Sequence, residues 1–143
     1  VNLNVILTIA ASISLGNAVA TSGLAGEIGA EVVRLGEPLG AAVTLYFVIL
    51  ATQMLTEVLS NSGAAALMVP VGIAAAPGVG GDPREFAIGV LIGASCSFLT
   101  PIGYQTNLMV YGLGGYKFSD FTRAGIPLTL ASGVVAALLL SWF

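Results

Sequence analysis

The chain has 143 residues and a mass of 14.4 kDa; hydrophobic residues make up 57% of it and charged residues 8%, four Lys plus Arg against seven Asp plus Glu. A soluble domain carries about 25% charged residues, so this composition argues against a water-exposed globular fold, a disordered polar chain and a nucleic-acid binder with its basic patch. There is no His and one cysteine, Cys96, which leaves no internal disulfide, no metal cluster and no Ser-His-Asp or Cys-His catalytic set, and no nucleophile-base pair for an enzyme.

Charge-free runs at 1–26, 38–56, 58–81, 86–116 and 124–143 are each near or above the roughly 20 apolar residues that cross a bilayer. The expectation is an all-α integral membrane protein. Residue 1 is Val, and no basic segment precedes an apolar core, so the chain is expected to be an internal or C-terminal piece of something longer. The first span is predicted over about 3–24, rich in small residues (Ala10, Ala11, Ser14, Gly16, Ala18, Ala20, Gly23) that let membrane helices approach closely. Residues 25–40 read as a polar, interfacial connection with Glu27, Glu31, Arg34 and Glu37.

Residues 41–59 form an apolar segment, followed by Ser60-Asn61-Ser62-Gly63 and then the thirteen residues 64–76, which include Pro70. Thirteen residues rise about 20 Å, short of the roughly 30 Å hydrocarbon core. A re-entrant helical hairpin over 41–76 with its tip at 60–63 is therefore predicted. Residues 77–85 read as a Gly/Pro turn. The run 86–116 is too long for one plain span, and Pro101 and Gly103 interrupt it. A discontinuous helix is predicted, 86–99 and about 106–112, with an unwound loop between. Residues 112–123 read as a polar loop and 124–143 as the last span, with Trp142 and Phe143 at an interface. Lys117 and Arg123 make the 112–123 loop net positive, which places it in the cytoplasm by the positive-inside rule. That parity is the same whether 41–76 is a hairpin or two full spans.

Paired interruptions with polar residues at membrane depth point to a transporter binding site. At the hairpin tip, the carbonyl end of the first limb favours a cation, and the amide end of the second, a helix over 62–76 with Ser60 or Asn61 as N-cap, favours an anion. Thr56, Ser60, Asn61 and Ser62 add hard oxygen donors suited to Na⁺. All four basic residues fall in connections or span ends, so an anion here is balanced by helix N-termini, neutral donors and co-bound cations. Glu57 reads equally as a coupling group or as a protonated Glu hydrogen-bonded within its own bundle.

The stretches LTEVLSNSGAAALMVPVGIA (55–74) and SFLTPIGYQTNLMVYGLGGYKFSDFTRAGIPLTL (97–130) resemble the divalent anion:sodium symporter family of dicarboxylate, citrate and sulfate transporters. SLGNAVATSGLA (14–25) resembles the helix before that family's second hairpin. The resemblance covers nearly the whole chain as the C-terminal half of such a transporter. It implies one inverted repeat of an elevator-type fold: three spanning helices plus the re-entrant hairpin and the discontinuous helix. Residues 1–40 would be scaffold and arm, and 41–143 a transport-domain half. The family carries a Ser-Asn-Thr motif at each of two hairpin tips; here it matches Ser60, Asn61 and Ser62, the last keeping the hydroxyl of Thr without its methyl. By resemblance Thr56, the Leu59 carbonyl, Asn61 and the Gly103 carbonyl bind Na⁺. Ser60, Asn61, Ser62, Tyr104, Gln105, Thr106 and Asn107 meet the anion, and the N-terminal half of the transporter supplies the rest of the site.

The implied function is Na⁺-coupled symport of a divalent anion, sulfate or a di- or tricarboxylate, by a homodimer in the inner (plasma) membrane, with lipid as the surrounding partner. A cation/proton antiporter or arsenite-type permease of the same superfamily, with Glu57 as proton carrier, is the alternative; a non-transporting membrane assembly subunit is a third.

Overall fold

The computed structural model describes residues 3–142, and Phe143, expected at the interface, lies outside them. Among the described residues all regular structure is helical: α1 (Leu3–Thr21), α2 (Leu24–Gly36), α3 (Ala41–Thr56), α4 (Asn61–Ala75), α5 (Pro83–Ser95), α6 (Gln105–Gly114) and α7 (Phe118–Leu140), with 3-10 turns at Glu37–Leu39 and Ala76–Val79.

The hairpin partners α3 and α4 form the centre. The α3 face Leu45, Val48 and Ile49 packs with Phe86 and Val90 of α5 and with Ala136 and Ala137 of α7. On the other side Val71 of α4 packs with Val19 of α1 and Ala25 of α2. Glycines set how closely α3 and α5 approach. A Cβ on Gly93 would stand 2.9 Å from the Ile49 carbonyl oxygen, and one on Gly89 would stand 2.7 Å from Leu45 Cδ1. Small residues at such crossings let dispersion contacts form between whole backbones where lipid supplies no hydrophobic drive. Pro70 cannot donate to the Ala66 carbonyl four residues back, and α1 closes on that carbonyl at Gly16, where a Cβ would stand 2.9 Å from it.

The outside is apolar. Val58, Leu113 and Trp142 are 84%, 91% and 89% exposed, among many other exposed large hydrophobics. That surface suits lipid or protein neighbours and not water. The residues expected in the interfacial connection 25–40 fold as α2 and its 3-10 extension. Its exposed Arg34 pairs with Glu31 through Nε and Oε2 at 3.0 Å and through a second, shorter contact. The hydrogen bond from Arg34 holds the Glu31 carboxyl below its usual range.

Several expected boundaries move. The second hairpin limb begins at Asn61, not 64, and runs through the 3-10 turn to Val79. That gives 19 residues, and Phe118–Leu140 gives 23; both stretches are long and apolar enough to cross a membrane. The limb expected to fall short therefore does not. The first limb is short as well: the 16 residues of α3 rise about 24 Å. The break in the discontinuous helix is wider than predicted, 96–104, because α5 ends at Ser95. The polar loop predicted at 112–123 shrinks to 115–117, and the last helix starts at Phe118, not 124. There the Lys117 backbone N–H donates to Asp120 Oδ2 at 2.8 Å, which satisfies one free amide at the helix start.

Gly93→Val is expected to push α5 off the Ile49 carbonyl and lower stability by about 1–3 kcal/mol, read as a lower melting temperature of the detergent-purified full-length protein. An unchanged melting temperature would contradict this packing.

Candidate functional site

The tip of the α3–α4 hairpin is built by residues 57–60. Ser60 is extended, and its Oγ accepts from the Gly63 N–H at 3.2 Å, so it caps α4. Thr56, fully buried at the end of α3, places its Oγ1 2.9 Å from Asn61 Oδ1 and 2.9 Å from the Ala94 carbonyl oxygen. One hydroxyl hydrogen serves two acceptors. Either the Asn61 amide turns to donate or one contact is between bare oxygens. A set of three converging hard oxygens suits a small hard cation.

Glu57 joins the two interruptions. Its Oε1 accepts from the Leu99 N–H and its Oε2 from the Thr100 N–H, both at 2.8 Å. Its carbonyl accepts from Thr100 Oγ1 at 3.4 Å, and Thr100 Oγ1 accepts from the Gly103 N–H at 3.0 Å. Glu57 as a residue is 5% exposed. Asn107 Nδ2 donates to the carbonyls of Ser97 and Thr100 at 3.0 and 3.2 Å. From the far side Thr122 Oγ1 donates to the Leu99 carbonyl at 3.1 Å, and Gly125 of α7 lies so near Phe98 that a Cβ would overlap its carbonyl. The non-helical backbone of 96–104 is thus hydrogen-bonded from three elements, the condition for such backbone at membrane depth.

Two helix starts follow the joined segments in the chain. The start of α4 lies four residues after Glu57, and the start of α6 lies two residues after Gly103, which packs on Glu57. Tyr104, at the N-cap of α6, makes no side-chain cap, so first-turn amides of α6 are free for an anion. Arg34, Arg84, Lys117 and Arg123 are all exposed, and none takes part in these contacts.

The expected residues divide into groups. Thr56 and Asn61 touch. Gly103 packs against Glu57 and Ser97. Leu59 lies in the tip itself. Ser62 lines a cleft of about 380 Å³ with Gly16 and Asn17 of α1, away from the Thr56–Asn61 pair. Tyr104, Gln105 and Thr106 are exposed at the start of α6, and Asn107 is half-buried with its amide nitrogen engaged. Both Glu57 carboxyl oxygens accept backbone N–H groups within the bundle. Sequence reasoning missed Ser97, Thr100, Thr122 and the Ala94 carbonyl. The signal present was the hydroxyls of Ser97 and Thr100 inside an apolar run.

The citrate transporter family model matches residues 1–143, and the chain belongs to that family, in accord with its resemblance to divalent anion:sodium symporters. It is 42% identical over 95% of its length to an uncharacterized transporter of Synechocystis sp., covering 22% of that protein. It is 33% identical over 96% of its length to sodium/sulfate cotransporter 1 of Chlamydomonas reinhardtii, covering 16% of it, and 34% identical over 97% to sodium/sulfate cotransporter 2 of the same alga, covering 16%. The chain thus spans about a fifth or less of these relatives' length. No solved structure matches it.

Glu57→Gln puts an amide NH₂ where one backbone N–H now finds an acceptor. It is expected to cost about 1–3 kcal/mol and to speed hydrogen exchange of the Leu99 and Thr100 amides in the full-length protein. Unchanged exchange across 96–104 would show that Glu57 does not hold the segment.

Proposed function

We propose that the chain forms part of a secondary active transporter that couples inward Na⁺ movement to uptake of a divalent anion, with sulfate the first substrate to test and a di- or tricarboxylate the next. The observation that carries this reading is the meeting of two interrupted helices. The Glu57 carboxyl at the hairpin tip holds the Leu99 and Thr100 amides of the break that leads into α6, and the adjoining Thr56 meets Asn61 at the start of α4 and the Ala94 carbonyl at the end of α5. Amide ends favour an anion and the oxygen set favours a cation, so one site offers both charges a place. With the basic residues at exposed positions away from these contacts, a doubly charged anion is held by partial charges alone unless a cation enters beside it. Coupling follows from that imbalance. The names of the algal relatives, sodium/sulfate cotransporters, point the same way.

In this reading Asn61 and the Gly103 carbonyl, with Thr56 and the Leu59 carbonyl, hold Na⁺. Ser60, Asn61, Ser62 and the start of α6 from Tyr104 to Asn107 meet the anion. The α3–α4 hairpin re-enters the bilayer, which the short α3 supports. Residues 41–143 ride as part of a moving domain against residues 1–40 and a second, N-terminal inverted repeat, in a homodimer of the plasma or inner membrane. An antiporter would need Glu57 to exchange protons, and both of its oxygens already serve as acceptors.

In proteoliposomes of the full-length transporter, labelled sulfate uptake is expected to require Na⁺ over K⁺, and Asn61→Ala is expected to abolish it or raise the half-saturating Na⁺ concentration about tenfold or more. Uptake by Asn61→Ala with unchanged Na⁺ dependence would count against the assignment.

A further inference from the structure

The corner between α6 and α7 sets aromatic and basic side chains side by side at the end of a long apolar helix. Gly115 closes α6 with a φ of 64°, a conformation glycine adopts without a Cβ penalty. The chain then folds back, and the Tyr116 ring packs so near Gly114 that a Cβ there would overlap it. Tyr111 and Tyr116 each meet the Phe121 ring edge to face, with centroids 6.0 and 6.1 Å apart, an arrangement that ring quadrupoles favour. Rings from both sides of the turn thus hold its shape. Its outer surface is nevertheless exposed and apolar at Leu113, Tyr116 and Phe118.

The α7 helix is long and apolar enough to cross a membrane, so its first residue, Phe118, stands at a membrane face, the depth that Tyr and basic side chains favour. Lys117 directly precedes the helix and Arg123 lies in its second turn, both exposed. Among the described residues neither forms an ion pair; the pair found is Arg34–Glu31. Asp120, between them, already accepts from the Lys117 backbone N–H at 2.8 Å. Residues 115–123 are net positive, whereas 25–40 and 77–85 are both net negative. Arg123 sits about 7.5 Å along the helix from Phe118. An Arg at that depth reaches back to the headgroups on its apolar stem, and phosphate is the partner its planar fork fits.

We infer that the α6–α7 corner binds the headgroup of an anionic phospholipid, with Lys117 and Arg123 taking its charge while Leu113, Tyr116 and Phe118 lie against the upper part of its acyl chains. Net positive charge at a membrane face selects an anionic headgroup over a zwitterionic one. Na⁺ coupling plays no part in this contact, which stands or falls separately from the symport reading.

The test is hydrogen exchange of the 115–123 amides in the detergent-purified full-length protein, titrated with phosphatidylglycerol, phosphatidylcholine or soluble glycerol phosphate. Phosphatidylglycerol is expected to slow exchange in this segment at concentrations where phosphatidylcholine and glycerol phosphate do not. In Lys117→Gln combined with Arg123→Gln, the half-saturating phosphatidylglycerol concentration is expected to rise about tenfold or more. The charge-retaining pair Lys117→Arg and Arg123→Lys is expected to keep the preference, as is Arg84→Gln, which removes a basic residue from the net-negative 77–85 turn. Equal protection by both lipids in the wild type, protection that survives the double Gln variant, or protection lost equally in Arg84→Gln would overturn the inference. Protection by glycerol phosphate alone would overturn it too, and would assign the corner to a free anion.

Discussion

The two hydrogen bonds from the amides of Leu99 and Thr100 to the Glu57 carboxylate bind one interrupted helix to the other. Without them the hairpin tip and the 96–104 segment would be separate stretches of unpaired backbone in an apolar bundle, each carrying the cost of unsatisfied polar groups. With them, each interruption satisfies the other. The remaining contacts extend the same arrangement: Asn107 takes up the carbonyls of Ser97 and Thr100, Thr122 takes up that of Leu99, and Thr56 takes up the Ala94 carbonyl at the end of α5. The packing serves this junction. Gly125 brings α7 against the break, and Gly89 and Gly93 bring α5 against α3, so that each donor reaches its acceptor.

A site assembled from helix ends has a particular electrostatic character. In the proposed site the positive partial charges are amides at the starts of α4 and α6, and the negative ones are carbonyls, hydroxyls and one carboxylate. In the proposed reading such a site takes up the anion together with a cation, because no basic side chain takes part in these contacts. The basic residues sit at exposed positions, where they suit orientation in the membrane better than substrate binding. In that reading coupling between two ions needs no special relay; it follows from the absence of basic side chains at the junction.

Much of the helical order was legible because it follows composition. Apolar run lengths gave the helices, Pro101 and Gly103 gave the break, and the Ser-Asn-Ser tip gave the hairpin turn. What was misplaced lay where local chemistry and tertiary contact compete. Asn61 read as part of the tip because it is polar, yet it opens the first helical turn of α4, which Ser60 caps. Residues 118–123 read as loop because of Asp120 and Arg123, yet Asp120 satisfies the Lys117 amide at the helix start. Residues 96–99 read as helix because no breaker precedes Pro101; their backbone groups instead go to Glu57, Asn107 and Thr122, partners distant in sequence and invisible to any local pattern. The role of Glu57 was undecidable from the sequence for the same reason, since nothing near it in the chain names its partners.

The most direct test of the account is the melting temperature of the detergent-purified full-length transporter in a matrix of Na⁺ or K⁺ with sulfate, succinate or citrate. Ligands that bind only the folded state raise stability by mass action. The account predicts that one of these anions raises the midpoint only when Na⁺ is present, and that this anion names the substrate class. An anion that stabilises equally in K⁺, or a midpoint that no combination of Na⁺ and anion moves, would contradict a shared cation and anion site at the junction of the two interrupted helices.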